Sequence, residues 1–278
     1  MSILRKLGKI DYRWLYITSL ILTAIPLFVP IGLSVTLSEP VKDYYAAIQA
    51  LPEDSVIAVS FGGSAALLDE QEAQFLATWK TIFSLGHKVI FYSTTEDGPM
   101  ILRDHLGKKV IPEDYGYTYG VDYVELGFSP LGEPGQASFA ANIRGVYQAD
   151  SRGTPLDDLP MMIGFNNFEN IDLLIYEYTS CTDIEWAIRQ WTVPYQTKVI
   201  ATTLGCCGPM AAPYYPSQIA GFLSGSGAGT ELEVLSGHPG PGAAMSDSKS
   251  IGILPELIFI AFGNIAYFAN KFSKEDKR

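Results

Sequence analysis

The segment VIAVSFGGS, residues 56–64, indicates the fold class. Val56 to Phe61 is an apolar run with several β-branched residues, which is typical of a strand buried on both faces of a parallel sheet. Two glycines then turn the chain, and Ala65 to Leu85 shows helical periodicity with an acidic first turn. A buried strand that leads through a tight turn into a helix predicts the first unit of an α/β fold.

The alternation of strand and helix continues along the chain. Four further apolar runs predict strands at Lys88 to Ser93, Val121 to Phe128, Ile171 to Tyr176 and Lys198 to Thr202. Helical patterns follow at Pro99 to Leu106, Gln136 to Tyr147, Thr182 to Trp191, Pro216 to Leu223 and Ala228 to Leu235. Because right-handed crossovers place helices on both faces, we predict a doubly wound, mostly parallel five-stranded sheet, Rossmann-like or flavodoxin-like, over residues 55–235.

Two long apolar segments flank this domain. Residues 14–35 are 22 residues without a charge, and residues 251–270 carry one carboxylate, Glu256. At about 1.5 Å per residue each segment spans the roughly 30 Å hydrocarbon core, so we predict an N-terminal and a C-terminal transmembrane helix. A cleaved signal sequence is the alternative for the first segment. Residues 36–54 are predicted as a membrane-proximal linker helix and residues 236–250 as a flexible tether.

The charge is distributed unevenly. The chain has a net charge of −11, yet residues 1–13 and 271–278 are both basic tails. Residues 36–250 hold 26 acidic against 11 basic residues, a net −15. Basic flanks of apolar spans stay in the cytoplasm, so we predict a two-pass protein of the cell membrane with both termini cytoplasmic and the α/β domain outside. The acidic domain argues against nucleic acid as a partner, because phosphates would be repelled.

Polar residues follow the predicted strands, at the edge of the sheet where ligands of such folds bind. We take as candidate ligand-binding residues Gly62, Gly63, Ser64, Thr94, Thr95, Glu177, Asp183 and Thr203. A glycine turn that opens a helix is able to present backbone amides to an anion. However, FGGS lacks the GxGxxG spacing and a Walker lysine, which favours a plain tight turn. No particular cofactor is indicated.

Three cysteines fall on two of these loops. Cys181 follows one predicted strand, and Cys206 and Cys207 follow the next. Outside the cytoplasm this arrangement favours a disulfide between Cys181 and either Cys206 or Cys207. Three sulfurs without a nearby histidine make a poor zinc motif, so no metal site is predicted. A catalytic thiolate needs a base, and the histidines lie elsewhere in the pattern.

Several short segments carry a resemblance. They are GTPLDDLPMM (153–162), IDLLIYEY (171–178), TDIEWAIRQ (182–190), GFLSGSGAGTELEVL (221–235) and FGNIAYF (262–268). Together they are similar to a family of prokaryotic membrane-anchored proteins without an assigned activity. The resemblance covers the chain from about Ser55 onward and implies an α/β domain with a C-terminal anchor. It carries over no functional residues, and the Cys206-Cys207 pair departs from the pattern of the family, which counts against a shared catalytic thiol.

Three classes of function remain open, of which the third is a redox protein that uses the cysteines. The first is a non-catalytic subunit of a membrane protein complex, whose outward α/β domain binds a ligand or a partner protein. In this case Glu256 and Asn264 are the expected contacts with other membrane subunits or a second copy, within membrane lipid, because polar groups in a span need partners. The second is a membrane-tethered extracytoplasmic hydrolase or transferase with candidates Ser64, Glu177, Asp183 and Cys206.

Overall fold

The computed structural model describes residues 11–29 and 31–275, which fall into two units. The larger unit is Val35–Gly242, and the smaller one comprises the chain up to Ser34 and from Ala243 onward. Most of the predicted N-terminal basic tail and the end of the C-terminal one lie outside the described residues.

A six-stranded, all-parallel sheet lies at the centre of the larger unit. The strands are β1 Val56–Phe61, β2 Lys88–Ser93, β3 Tyr123–Phe128, β4 Leu173–Glu177, β5 Val199–Thr203 and β6 Gly221–Ser224. Their order across the sheet is β3-β2-β1-β4-β5-β6, the arrangement of a Rossmann-type doubly wound sheet. The predicted α/β fold with a parallel sheet is confirmed, with six strands in place of five.

The sixth strand corrects one prediction. The pattern places residues 216–223 in a helix, whereas β6 pairs in parallel with β5 from Ile200 and Gly221 to Thr203 and Ser224. Gly221 is required at this edge because a Cβ atom there would collide with the backbone of Tyr44. A four-residue strand is too short to show a period, so its sequence does not separate it from a helix end.

Helices cover both faces of the sheet. The longer helices of the chain are α1 Tyr12–Phe28, α2 Glu39–Gln49, α3 Leu68–Ser84, α4 Gly98–Lys108, α5 Gly132–Ala141, α6 Gly225–Ser236 and α7 Gly242–Glu275. Residues of α2, α3, α4 and α6 form one hydrophobic core with the sheet. The other face packs against α5 and a helical run made of Ile184–Ala187, the π-helical Ile188–Thr192 and Val193–Tyr195. The sandwich therefore has one core on each side of its sheet.

Two connecting segments differ from their predictions. The linker helix expected over residues 36–54 is α2, and its Tyr44 and Ile48 are fully buried in the core, so it is part of the α/β unit. Pro40 near its first residue favours a helix start, since its missing N–H needs no partner there. The tether expected over residues 236–250 is helical from Gly242 onward, where α7 begins.

The smaller unit contains α1 and α7. Gly242–Phe268 is long and apolar enough to cross a membrane, judged by length and composition, whereas α1 is shorter. Of the single span predicted over residues 14–35, the helix covers the residues up to Phe28, where α1 ends. Val29 takes an extended conformation, as expected for a residue that precedes a proline.

Polar contacts join the two helical segments of the smaller unit. The carboxylate of Asp247 in α7 accepts hydrogen bonds from the backbone N–H groups of Ile31, Gly32 and Leu33, at 2.7, 2.8 and 3.1 Å. The hydroxyl of Ser248 donates to the carbonyl of Thr23, at 2.7 Å. One aspartate thus supplies partners for backbone amides of the extended segment that comes after α1.

Candidate functional site

A cleft of about 500 Å³ opens at the carboxyl ends of β1 to β4. The chain runs outward from β1 to β2 and β3 and then returns to β4, so the cleft lies at the topological switch point of the sheet. Its lining residues are Gly62, Ser64, Thr94, Thr95, Glu96, Asp97, Phe128, Pro130, Gly132, Tyr178, Thr179, Asp183 and Trp186. This is the position where open α/β sheets bind their ligands.

Five of the eight candidate ligand-binding residues line this cleft. They are Gly62, Ser64, Thr94, Thr95 and Asp183. Gly63, Glu177 and Thr203 are buried and do not line it. The sequence does not predict the aromatic walls, because Phe128 and Trp186 come from two separate segments that only the fold brings together.

The turn after β1 is held by the loop after β2. Oδ2 of Asp97 accepts hydrogen bonds from the backbone N–H of Ala65, at 3.1 Å, and from the hydroxyl of Ser64, at 3.3 Å. The hydroxyl of Thr95 donates to the carbonyl of Gly63, at 2.6 Å. A Cβ atom at Gly62 would collide with the backbone carbonyl of Glu177, which explains the glycine. Side chains of the loop after β2 and the backbone of Glu177 therefore contact this turn on two sides.

The cleft is acidic and aromatic. Glu96, Asp97 and Asp183 are its charged lining residues, and none of the lining residues is a lysine, arginine or histidine. Burial raises the pKa of Asp183 above its ordinary value, against a smaller lowering by a hydrogen bond from Ser180. A carboxylate in such surroundings gains from a positive charge nearby.

Glu177 lies in the core on the α3 side of the sheet. It is the last residue of β4, is fully buried and has no hydrogen bond of normal geometry at either carboxyl oxygen. Burial raises the pKa of Glu177 well above its ordinary value, and the indole of Trp79 offsets this only in part. The carboxyl group therefore keeps its proton to a higher pH than an exposed glutamate does. Its assignment to the ligand-binding edge is corrected, because the side chain points into the sheet's core and away from the cleft.

The cysteines form one group beside the cleft. Cys181 and Cys207 are joined by a disulfide, which ties the loop after β4 to the loop after β5. Cys206 is exposed and free, with its Sγ atom 3.8 Å from that of Cys207. The structure thus selects Cys207 from the two predicted partners of Cys181. The three Sγ atoms lie within 4.8 Å of one another, and the disulfide uses two of them.

The three histidines lie away from the cleft. Nε2 of His105 lies 2.8 Å from a carboxylate oxygen of Glu72, and Nε2 of His238 lies 2.8 Å from the hydroxyl of Ser84. His87 is buried before β2, at the opposite end of that strand from the cleft. Ser64 in the cleft therefore has a carboxylate as its hydrogen-bond partner, and no imidazole base reaches it.

Comparisons of the chain with protein-family models, with curated proteins and with solved structures give no match. The family resemblance in the five short segments therefore stays a prediction. The membrane lipid, the partner subunits and the outward orientation of the α/β domain also stay predictions. The function of the chain must accordingly be inferred from the cleft and from the groups around it.

The buried Glu177 predicts a pH dependence of stability. Its raised pKa means that the folded chain keeps a proton that the unfolded chain releases, so this group stabilises the fold at low pH and the contribution is lost as pH rises. As the pH rises from about 5 to about 7, the free energy of unfolding of Glu177→Gln should therefore increase relative to that of the parent. The difference should grow by up to about 1.4 kcal/mol per pH unit.

Chemical denaturation of the full chain in mild detergent at a series of pH values measures this difference. Glu169→Gln is the matched control, since Glu169 is exposed and its substitution should leave the pH profile unchanged. If the profiles of Glu177→Gln and the parent run parallel, Glu177 is not a buried neutral acid.

The disulfide gives a second prediction. Cys181→Ser opens a loop that closes over a sequence separation of 26 residues, so the free energy of unfolding should fall by about 2–4 kcal/mol. Cys206→Ser is the matched control and should change stability little, because that thiol is exposed and unbonded. Peptide mapping of the unreduced, acid-quenched chain should recover Cys181 linked to Cys207. A Cys181–Cys206 peptide as the main product would contradict the pairing.

Proposed function

We propose that the chain is a non-catalytic subunit of a membrane protein complex, and that its α/β domain binds a small ligand in the switch-point cleft. The observation that carries the proposal is the cleft itself, about 500 Å³ in volume, with a few carboxylates and hydroxyls set among aromatic walls. Ligand sites are typically concave and mostly apolar, with a small number of polar groups that fix orientation.

The distribution of reactive groups favours binding over turnover. Of the four catalytic candidates, Glu177 is enclosed in the core, and Cys206 is not among the cleft residues. The hydroxyl of Ser64 donates a hydrogen bond to the carboxylate of Asp97. The same carboxylate accepts the N–H of Ala65, so its role in the structure is to stabilise the turn. General acid–base catalysis requires the groups to reach one reacting atom, and the pair that remains in the cleft is not joined to a histidine base.

The membrane part of the proposal has separate support. Gly242–Phe268 has the length and composition of a span, and α1 is apolar but shorter. Glu256 and Asn264 are exposed on α7, which leaves both side chains available to a helix of another subunit or of a second copy. A Cys181–Cys207 disulfide suits an oxidising compartment, which agrees with an extracytoplasmic α/β domain.

A hydrolase or transferase is the second candidate. The observation that favours it is Asp183, a cleft carboxyl group whose raised pKa suits a general acid. Ser64 in the same cleft is the accompanying nucleophile candidate.

One experiment separates the two functions. The full chain in lipid nanodiscs is assayed with panels of ester, amide and phosphate-ester substrates, beside the Ser64→Ala and Asp183→Asn variants. Native mass spectrometry of the same samples detects retained small molecules, with Thr179→Trp to fill the cleft and exposed Thr118→Trp as its control. We expect no turnover, and a retained ligand in the parent and in Thr118→Trp that is absent from Thr179→Trp. Turnover that either cleft variant abolishes would overturn the proposal in favour of the enzyme.

A further inference from the structure

We propose that the ligand of the cleft is an organic cation, recognised through an ammonium group held between aromatic faces and carboxylates. This inference rests on the proposed binding function and names the chemical class of its ligand. It comes from three independent features of the cleft: an amide end that is already occupied by a carboxylate, the sign of the lining charge, and the aromatic walls.

The first feature is the turn after β1, where sheets of this type bind phosphate groups. In sheets with this strand order, the turn after β1 and the helix that follows it normally receive the phosphates of a dinucleotide. In this chain Asp97 already accepts the Ala65 N–H and the Ser64 hydroxyl from that turn. An anionic ligand would have to displace a carboxylate from these donors or lie beside it. The position that commonly attracts negative charge therefore repels it here.

The second feature is the charge of the lining. Glu96 and Asp183 add their carboxylates to that of Asp97, and no basic side chain is among the lining residues. Asp183 lies at a partly buried position, where water screens its charge less than at an open surface. A positively charged ligand is attracted by the negative charge of the lining, whereas a neutral ligand gains only hydrogen bonds.

The third feature distinguishes an organic cation from a metal ion. Among the described residues, the three-cysteine group is the one set of histidine, cysteine and acidic side chains close enough to share an ion, so the carboxylates of the cleft do not converge on one point. Phe128 and Trp186, which are half-buried, instead supply aromatic surface, whereas the ring of Tyr178 is buried in the core. The face of an aromatic ring attracts a weakly hydrated cation, most strongly in tryptophan, and carboxylates around it add to the attraction.

Trp186 is the residue that best tests the aromatic part of the proposal. Its ring packs over Gly132, where an added Cβ atom would meet the ring at 3.7 Å, and both residues line the cleft. If the ring binds a cation through its face, another aromatic side chain should replace it better than an aliphatic one. A ring that only fills space would tolerate either replacement.

The experiment compares the binding of a cation with that of an uncharged analogue of the same shape. Isothermal titration of the full chain in nanodiscs uses choline and 3,3-dimethylbutan-1-ol, which has the same shape without the charge, together with spermidine, glucose and inorganic phosphate. We expect saturable binding of at least one of the two cations. If choline is that cation, it should bind at least about tenfold more tightly than the alcohol, a difference of about 1.4 kcal/mol.

Variants connect binding to the cleft. Asp183→Asn and Trp186→Leu should each weaken cation binding about tenfold or more, and Trp186→Phe should retain most of it. Asp158→Asn is the control, because Asp158 is exposed and does not line the cleft. Circular dichroism of each variant confirms that the fold is retained.

The outcomes separate this inference from the proposed function. Equal affinity for choline and the alcohol, or no saturable binding of either cation, overturns the cationic ligand. If glucose or phosphate binds instead, and Thr179→Trp abolishes that binding, the cleft still binds a small ligand and only its assigned class is wrong. Cation binding that is unchanged in Asp183→Asn and Trp186→Leu lies outside the cleft and also overturns the inference.

Discussion

The carboxylate of Asp97, in the loop after β2, accepts hydrogen bonds from the N–H of Ala65 and the hydroxyl of Ser64 at the turn after β1. This contact joins the two loops that form one side of the switch-point cleft, and it occupies one backbone amide ahead of α3, in the region where such sheets offer amides to an anion. Asp97 thus contributes both to the geometry of the cleft and, together with Glu96 and Asp183, to its negative charge.

Side chains of α3 stabilise the segments after β4 and β5, on the other side of the cleft. The side-chain amides of Gln71 and Gln74 donate to the backbone carbonyls of Tyr178 and Thr203, both at 3.0 Å, and both glutamines are fully buried. A carboxylate oxygen of Glu70 accepts the N–H of Gly205, at 2.8 Å. The segments after β4 and β5 are therefore fixed by one helix, and the disulfide between Cys181 and Cys207 joins them further. A cleft built in this way is preorganised, which lowers the entropic cost of binding.

Much of this architecture is predictable from the sequence, because β1, β2, β4 and β5 are continuous apolar runs followed by helical patterns. The rest depends on information that a linear pattern lacks. The last residue of β4, Glu177, sits in a sheet buried on both faces, so alternation does not tell whether its side chain meets the core or the cleft. Cys206 and Cys207 are adjacent, and only the short helical turn of Gly205–Cys207 directs the second one inward. Likewise, the cleft aromatics are distant in sequence and become neighbours only through the order of the strands.

A carboxylate binds the Ala65 amide at the position where Rossmann-type sheets commonly bind an anion, and the ligand that we propose for the cleft is accordingly a cation. Titration of inorganic pyrophosphate into the full parent chain tests this claim most directly. With the amide of the turn already bound by Asp97, no saturable binding is expected at concentrations up to about 1 mM. Saturable pyrophosphate binding, with Asp97 displaced from the Ala65 amide in the structure of the complex, would contradict this claim.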